Sequence, residues 1–304
     1  MKILFLVLLT SASLATFAQD NIEKSVVKKA KYVKATFQSA AIVNMQSVEM
    51  QKKGFLQFMI AHHFGNIWTK GVSTGDNLAQ VLGLNSGIAK TYLSFDYSLT
   101  NYANVGLGMT GNSTFEGWWK IRLLRQQAGS KNIPVSITYY SMANVNAQKD
   151  LIDTVKANKL TWNKYTYLHQ LLIARKFSDK VSMQLMPTLI HYNIVPYGVN
   201  NSNNIFSLGI GGKYQLSQNR ALTFEYFRQF NMYKDVIDRN GNIVNYKPDL
   251  LAVGLEFNTG GHVFQFYIGN TTAASNIEQL TKNRNELGEL ALGFRLNRAF
   301  YIGK

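Results

Sequence analysis

The sequence has no cysteine in 304 residues. This excludes disulfides, thiolate metal centres, a cysteine nucleophile, haem held through C-x-x-C-H and a lipid anchor on an N-terminal cysteine. Proline is scarce, at 4 residues, which argues against long disordered linkers. Charged residues make up only 16%, below the ~25% usual in soluble domains, so something other than charge must cover the surface. No stretch beyond the N-terminus approaches the ~18 consecutive apolar residues of a helical membrane span. Catalytic signatures are missing as well. There is no G-x-S-x-G elbow and no H-E-x-x-H zinc helix. The cluster Gly209–Lys213 lacks the leading Gly and the Ser/Thr of a phosphate loop. Acids are few beside bases: Asp plus Glu number 17, Lys plus Arg 32, and the formal net charge is +15. That excess points to anionic partners, whether nucleic acid, lipid or solute.

What is present begins with an address. Lys2, the apolar run from Ile3 to Leu9, and Thr16-Phe17-Ala18 with small residues at the −3 and −1 positions form a bacterial secretory signal, residues 1–18. Export makes nucleic acid an unsuitable partner. Residues 19–53 follow as a lead-in carrying Lys24, Lys28, Lys29, Lys31 and Lys34. It is expected to be a solvated periplasmic segment; an arm touching lipid headgroups and a plug in a lumen are the alternatives. Thr36–Met45 could be a strand, and joining the wall would bring the strand count to thirteen.

From residue 54 onward the pattern has a period of two. Leu93, Phe95, Tyr97 and Leu99 alternate with Ser94, Asp96 and Ser98. Phe206, Leu208 and Ile210 alternate with Ser207, Gly209 and Gly211; Leu251, Val253, Leu255 and Phe257 alternate with Ala252, Gly254 and Glu256. Such alternation marks strands with one apolar and one polar face. Twelve are expected, near Phe55–Phe64, Lys90–Leu99, Tyr102–Gly111, Gly117–Gln126, Pro134–Met142, Lys164–Phe177, Lys180–Tyr192, Asn204–Leu216, Arg220–Phe230, Asp249–Asn258, His262–Asn270 and Leu287–Arg298.

A soluble sandwich would turn the apolar faces inward and a membrane barrel would turn them toward lipid. Loop lengths separate the two. Tight turns at Asn101, Ser178-Asp179, Ser217-Gln218-Asn219 and Thr259-Gly260-Gly261 alternate with the long connections Gly65–Ala89, Ala143–Asn163, Asn193–Asn203, Asn231–Pro248 and Thr271–Glu286. Short turns on one rim and long loops on the other are the outer-membrane pattern. The expected fold is therefore all-β: a single antiparallel up-and-down transmembrane β-barrel over residues 54–304, with N- and C-termini periplasmic. The lipid-facing belt accounts for the low charge content. Trp68, Trp118, Trp119, Tyr139, Tyr140, Trp162, Tyr192, Tyr226 and Tyr267 are expected in the interfacial aromatic girdles.

Extending the alternation inward assigns Asp96, Glu225, Glu256 and Glu289 to the lumen, against Lys120, Arg122, Lys213 and Arg295. A selective anion pore would carry an uncompensated basic ring. Four acids against four bases instead suggest cross-lumen ion pairs that brace or occlude the barrel, with pore lining as the alternative. The net positive charge then belongs to the arm, loops and rims, facing outer-membrane lipids and lipopolysaccharide. Five histidines remain. His62 and His63 cannot both face inward, and His169, His191 and His262 stand in no metal-ligand spacing, so neither a metal nor a cofactor is expected.

Several short motifs carry a resemblance. They are Gly54-Phe55-Leu56 with His62-His63-Phe64-Gly65, Val81-Leu82-Gly83-Leu84-Asn85, Gln170–Phe177, Pro187–Asn193, Glu225-Tyr226, Thr259–Gln265, and Gly293-Phe294-Arg295 near Arg298. As an ordered set over Thr36 to Phe300, they resemble a Bacteroidota family of outer-membrane β-barrels, domain of unknown function 5777. The family pattern has H-R-F-G where this chain has His62-His63-Phe64-Gly65. The resemblance implies a barrel and carries over no activity and no site residues. The expected protein is a monomer in the outer membrane of a Gram-negative bacterium, inserted by the barrel-assembly machinery. It is read as non-enzymatic, a passive small-solute channel or a structural or accessory membrane protein. An outer-membrane lipid-modifying enzyme, with a Ser, His or carboxylate cluster at the outer edge of the wall, is the first alternative. A soluble periplasmic β ligand-binding protein is the second.

Overall fold

The computed structural model describes residues 29–81, 90–111, 113–147, 164–194, 201–237 and 241–303. The signal segment, the start of the lead-in, Trp162 and parts of the long loops lie outside the described residues.

Twelve antiparallel strands close into one barrel. In chain order they are β1 (Phe55–Trp68), β2 (Lys90–Ser98), β3 (Ala103–Thr110), β4 (Thr114–Leu124), β5 (Ser136–Asn146), β6 (Tyr165–Lys176), β7 (Val181–Tyr192), β8 (Asn204–Ser217), β9 (Arg220–Gln229), β10 (Leu250–Asn258), β11 (His262–Gly269) and β12 (Leu290–Tyr301). Each pairs with its chain neighbours, and β12 pairs with β1 from Leu290↔Trp68 to Tyr301↔Phe55, so no sheet edge remains open. The ends of the wall are stapled where the Ile302 and Gly303 N–H groups donate to the Gly54 carbonyl, at 2.9 and 3.0 Å.

The alternation selects the outer face. Phe95, Leu107, Phe115, Leu185, Phe206, Val253 and Phe266 stand exposed around the wall, while their strand neighbours Asp96, Glu116, Gln184, Ser207 and Gln265 are buried within it. An apolar belt of this extent suits lipid and removes the soluble reading. The turns follow from their residues. Ser178 Oγ accepts from the Lys180 and Val181 N–H groups, and Asn258 Oδ1 accepts from Gly260 N–H at 2.8 Å, where Gly260 supplies a φ of +83°.

Three expectations about the wall change. β1 runs on past Phe64 to Trp68, with register shifts on either side of the Asn66↔Ala291 pair, so residues 65–68, which read as the start of a loop in the sequence, belong to the wall. Trp118, Tyr140, Tyr192 and Tyr267, expected in the girdles, are buried inside the barrel, because they share strand parity with the inward polar residues. Thr36–Met45 does not join the wall, so the count stays at twelve.

Residues 36–49 are not solvated. Phe37, Ile42, Val43, Met45 and Val48 are buried in one cluster with the inward Met142, Leu168, Leu172, Met186 and Ile190 of β5 to β7. Full burial of such side chains contributes about 1.5–3 kcal/mol each. The segment leaves the short-turn rim and returns to it. On the way in, Lys31-Tyr32 pairs with Gln127-Ala128; on the way out, Lys53 N–H donates to Asn101 Oδ1. A second segment enters from the long-loop rim. Between β11 and β12, Asn270 and Thr271 are buried, as is a short helix, Asn276–Thr281, along nearly its whole length.

Candidate functional site: an occupied lumen

The inward charges meet the inserted segment rather than one another. Its tip is a tight turn: Ala41 bridges Gln46, and Ile42 N–H donates to the Met45 carbonyl at 2.8 Å. A turn of this kind leaves successive N–H groups converging on its outer side, where they can hold an anion. Glu225 occupies that position, accepting from the N–H groups of Val43, Asn44 and Met45 at 3.2, 3.0 and 3.1 Å. Gln265 Nε2 donates to the Ile42 carbonyl, 2.5 Å away. Gln184 holds the returning limb at both polarities, accepting from Val48 N–H at 2.9 Å and donating to the Gln46 carbonyl at 2.8 Å. Lys120 Nζ donates to the carbonyls of Ser47 and Glu49 at 2.9 and 3.0 Å, and to Gln46 Oε1 at 3.2 Å. Lys213 Nζ reaches the Ala35 carbonyl at 3.2 Å. Nearly every polar contact from wall to segment therefore lands on main chain.

Of the other residues assigned to the lumen from sequence, Asp96 is buried and accepts from Asn104 Nδ2 at 2.7 Å and Trp118 Nε1 at 3.2 Å. Glu256 and Arg295 are buried deeper in the wall; Glu256 Oε1 and the Arg295 Nε and Nη1 atoms make no hydrogen bond to described residues. Glu289 sits toward the long-loop rim, where its Oε2 accepts from Glu286 N–H at 2.9 Å. Arg122 is the exception: half-buried at the short-turn rim, it donates to the Asn101 carbonyl at 2.9 Å. The expected bracing ion pairs are absent from Asp96, Lys120, Lys213, Glu225, Glu256 and Arg295 among the described residues. For Glu225, Lys120 and Lys213 the physical reason is that N–H and C=O groups of a folded-in peptide satisfy the charge as well as an opposite charge would.

Sequence reasoning missed Glu116. It shares the parity of Trp118, Lys120 and Arg122 and is buried on β4, but the expected strand began one residue after it. It accepts from Tyr92 Oη at 2.8 Å and from Ser275 Oγ of the second inserted segment. That segment also meets Tyr192, whose Oη lies 2.6 Å from Thr281 Oγ1. The two intrusions touch where Asn276 Nδ2 donates to the Asn44 carbonyl at 2.8 Å. Glycines make room: a Cβ on Gly211 would lie 2.7 Å from Ile42 Cδ1, and one on Gly209 would collide with the Phe227 ring.

The histidines divide between faces. His63 points inward to Tyr267 Oη at 3.1 Å; His62 points outward to Thr91 Oγ1 at 3.1 Å. His191 pairs with Asn204 and His262 with Arg298. His169 is on the outer wall beside Tyr139 and Ser141. Among the described residues no group of three or more His, Asp or Glu is placed to hold a metal ion.

The sequence profile of a family described as a membrane-bound β-barrel domain, domain of unknown function 5777, matches residues 37–300. The chain belongs to that family. The match begins inside the lumen, at the inserted segment, so the family's domain takes in the plug as well as the wall. No curated protein matches at a significant level. Among solved structures, the NanC porin superposes with a TM-score of 0.47 at 8% identity, covering 80% of this chain and 98% of that one. The KdgM porin gives 0.46 at 9% identity, covering 81% and 99%. OmpF of Salmonella typhi gives 0.37 at 8% identity, covering 81% and 97%. Likeness at this level leaves function to be argued from the lumen itself.

Proposed function

We propose that this family member is a channel of the Gram-negative outer membrane, with its short-turn rim toward the periplasm, held shut by its own N-terminal segment. The observation that supports this is the mode of capture. Residues 42–49 are gripped through N–H and C=O groups by Glu225, Gln184, Lys120 and Gln265. Water can take over each of those bonds when the segment leaves. The wall behind it would then present Lys120, Lys213, Glu225 and Arg295 to a passing solute, both signs together, as in a passage for small polar molecules of either charge.

Planar-bilayer recording tests this. The chain refolded from residue 51 onward is expected to conduct steadily, and the chain that keeps the segment to open only in brief, rare events. Silence from both at every voltage would sink the channel reading and leave a structural or accessory role.

A further inference from the structure

The outer wall carries a polar patch in the middle of its lipid-facing belt, on β5 and β6. Ser141 stands midway along β5, and His169 is its register partner on β6. Tyr139 Oη and Ser141 Oγ both lie on His169 Nδ1, at 2.7 and 3.2 Å. The other ring nitrogen, Nε2, has no partner among the described residues. Next to the patch, Gly117 and Ala143 are register partners and outward-facing, and they leave a groove of about 860 Å³. Its shoulders are the exposed Phe95, Leu107 and Trp119. On the opposite side of the wall the outward mid-strand residues are Ile210, Phe224, Val253, Phe266 and Phe294. The outward His62 there is bonded to Thr91 Oγ1 and stacked on Phe294, beside a smaller groove of about 440 Å³.

A polar group left unpaired in hydrocarbon costs several kcal/mol, and a histidine at that depth implies a partner. A nucleophile–base pair acting on lipid esters is the obvious alternative, since Ser141 faces His169. Its depth speaks against it: ester carbonyls and water lie at the membrane interface, whereas this pair lies halfway along the strands. A lipid tail fills the groove but offers Nε2 nothing.

We propose that the patch is a self-association surface, joining two copies of this chain about a two-fold axis near His169. A two-fold interface needs one surface that complements itself. This one does so in both respects. The free Nε2 of one copy can meet the oxygen lone pairs of Tyr139 and Ser141 on the other, and the reverse contact follows by symmetry. The notch at Gly117 and Ala143 lies beside shoulders large enough to fill it. Small residues that admit close approach, with a few polar groups as glue, are how membrane-embedded surfaces pack. The expectation of a monomer gives way to a dimer.

Because the chain has no cysteine, single replacements report cleanly. In lipid vesicles at low protein density, Ala143→Cys is expected to oxidise to a covalent dimer as the main product, while Val253→Cys on the opposite wall stays monomeric. Adding His169→Leu to Ala143→Cys is expected to cut dimer yield by roughly three- to tenfold, the weight of membrane hydrogen bonds. Equal cross-linking from the two walls, or no effect of His169→Leu, overturns the proposal. Single-molecule photobleaching of the labelled, otherwise unmodified chain guards against a folding defect in the variants: two steps per particle support the dimer and one step overturns it.

Discussion

Two segments enter the lumen, one from each rim, and they are held in opposite ways. Residues 35–49 bring main chain to side chains of the wall: Glu225, Gln184, Lys120, Gln265 and Lys213 grip N–H and C=O groups. Residues 270–283 bring side chains of their own: Ser275 to Glu116, Thr281 to Tyr192, and Asn270 and Asn283 to the Asp249 carbonyl. Anchorage differs too. The second segment continues into β11 and β12 at its two ends. The first continues into β1 at one end only, and at the other it is held by hydrogen bonds alone: the two-residue ladder of Lys31-Tyr32 with Gln127-Ala128, and main-chain bonds of Val33 and Lys34 to Gln126, Arg125 and Lys176. Main-chain capture reads the path of a peptide rather than its sequence, and every bond it makes has an equivalent in water. Side-chain capture fixes particular residues. The first arrangement suits a part that leaves and returns, and the second suits one that stays.

The largest expected effect comes from removing the acceptor at the tip. Glu225→Ala strands three buried N–H groups at 3.0–3.2 Å from the lost oxygens. Stranded donors cost about 1–3 kcal/mol each without adding in full, so about 3 kcal/mol is expected. That loss falls on the closed state alone and raises open occupancy by about a hundredfold in single-channel recordings. Glu116→Ala is the matched change on the other intrusion. It strands the Tyr92 and Ser275 hydroxyls, which can rotate, and is expected to lower the unfolding temperature while leaving opening frequency within about threefold of the parent. Equal effects on opening from the two carboxylates would break the comparison.

Next in size is a steric test. Gly211→Val places a Cβ 2.7 Å from Ile42 Cδ1, and 3.2 Å from both Met186 Cε and the Phe224 carbonyl of the wall. Overpacking of this kind costs about 1–3 kcal/mol, and the inserted segment is the part able to yield. Opening is expected to rise about tenfold, and Ile42→Ala in the same chain is expected to restore closure. Gly209→Val meets Phe227, a wall residue, and is expected to reduce refolding yield instead. Failure of Ile42→Ala to rescue would mean that Gly211 serves the wall and not the plug.

The difference between the two intrusions also marks what the sequence could show. Strands such as Lys90–Ser98 and Leu250–Asn258 were legible because one face meets lipid and the other is small or polar. Along β6 and β7 the period is blurred: Leu168, Leu172, Met186 and Ile190 are as apolar as the outward Leu171 and Leu185, since they pack on residues 37–48. Only knowledge of the plug explains that inner face. The inward set from Asp96 to Arg295 followed from strand parity, whereas its partners did not. Glu225 binds residues about 180 positions earlier in the chain, a pairing that barrel closure creates and no local pattern encodes. The Ser141–His169 contact likewise depends on register across β5 and β6, which composition leaves open.

The smallest expected effect is the sharpest test of main-chain capture. Asn44 lies at the tip of the inserted turn and is buried, with its N–H on Glu225 and its carbonyl on Asn276 Nδ2. Its own Oδ1 and Nδ2 make no hydrogen bond to described residues. Asn44→Ser keeps both main-chain bonds and removes side-chain polar atoms that bond nothing, so stability and opening are expected to change by less than about 0.5 kcal/mol. Asn276→Ala, one contact away on the other intrusion, loses a side-chain donor and leaves the buried Asn44 carbonyl without it, an expected cost of about 1 kcal/mol seen as a lower unfolding temperature. If Asn44→Ser proves the more damaging of the pair, the plug is read by its side chains, and the contrast between a releasable and a fixed intrusion fails at the point where the two meet.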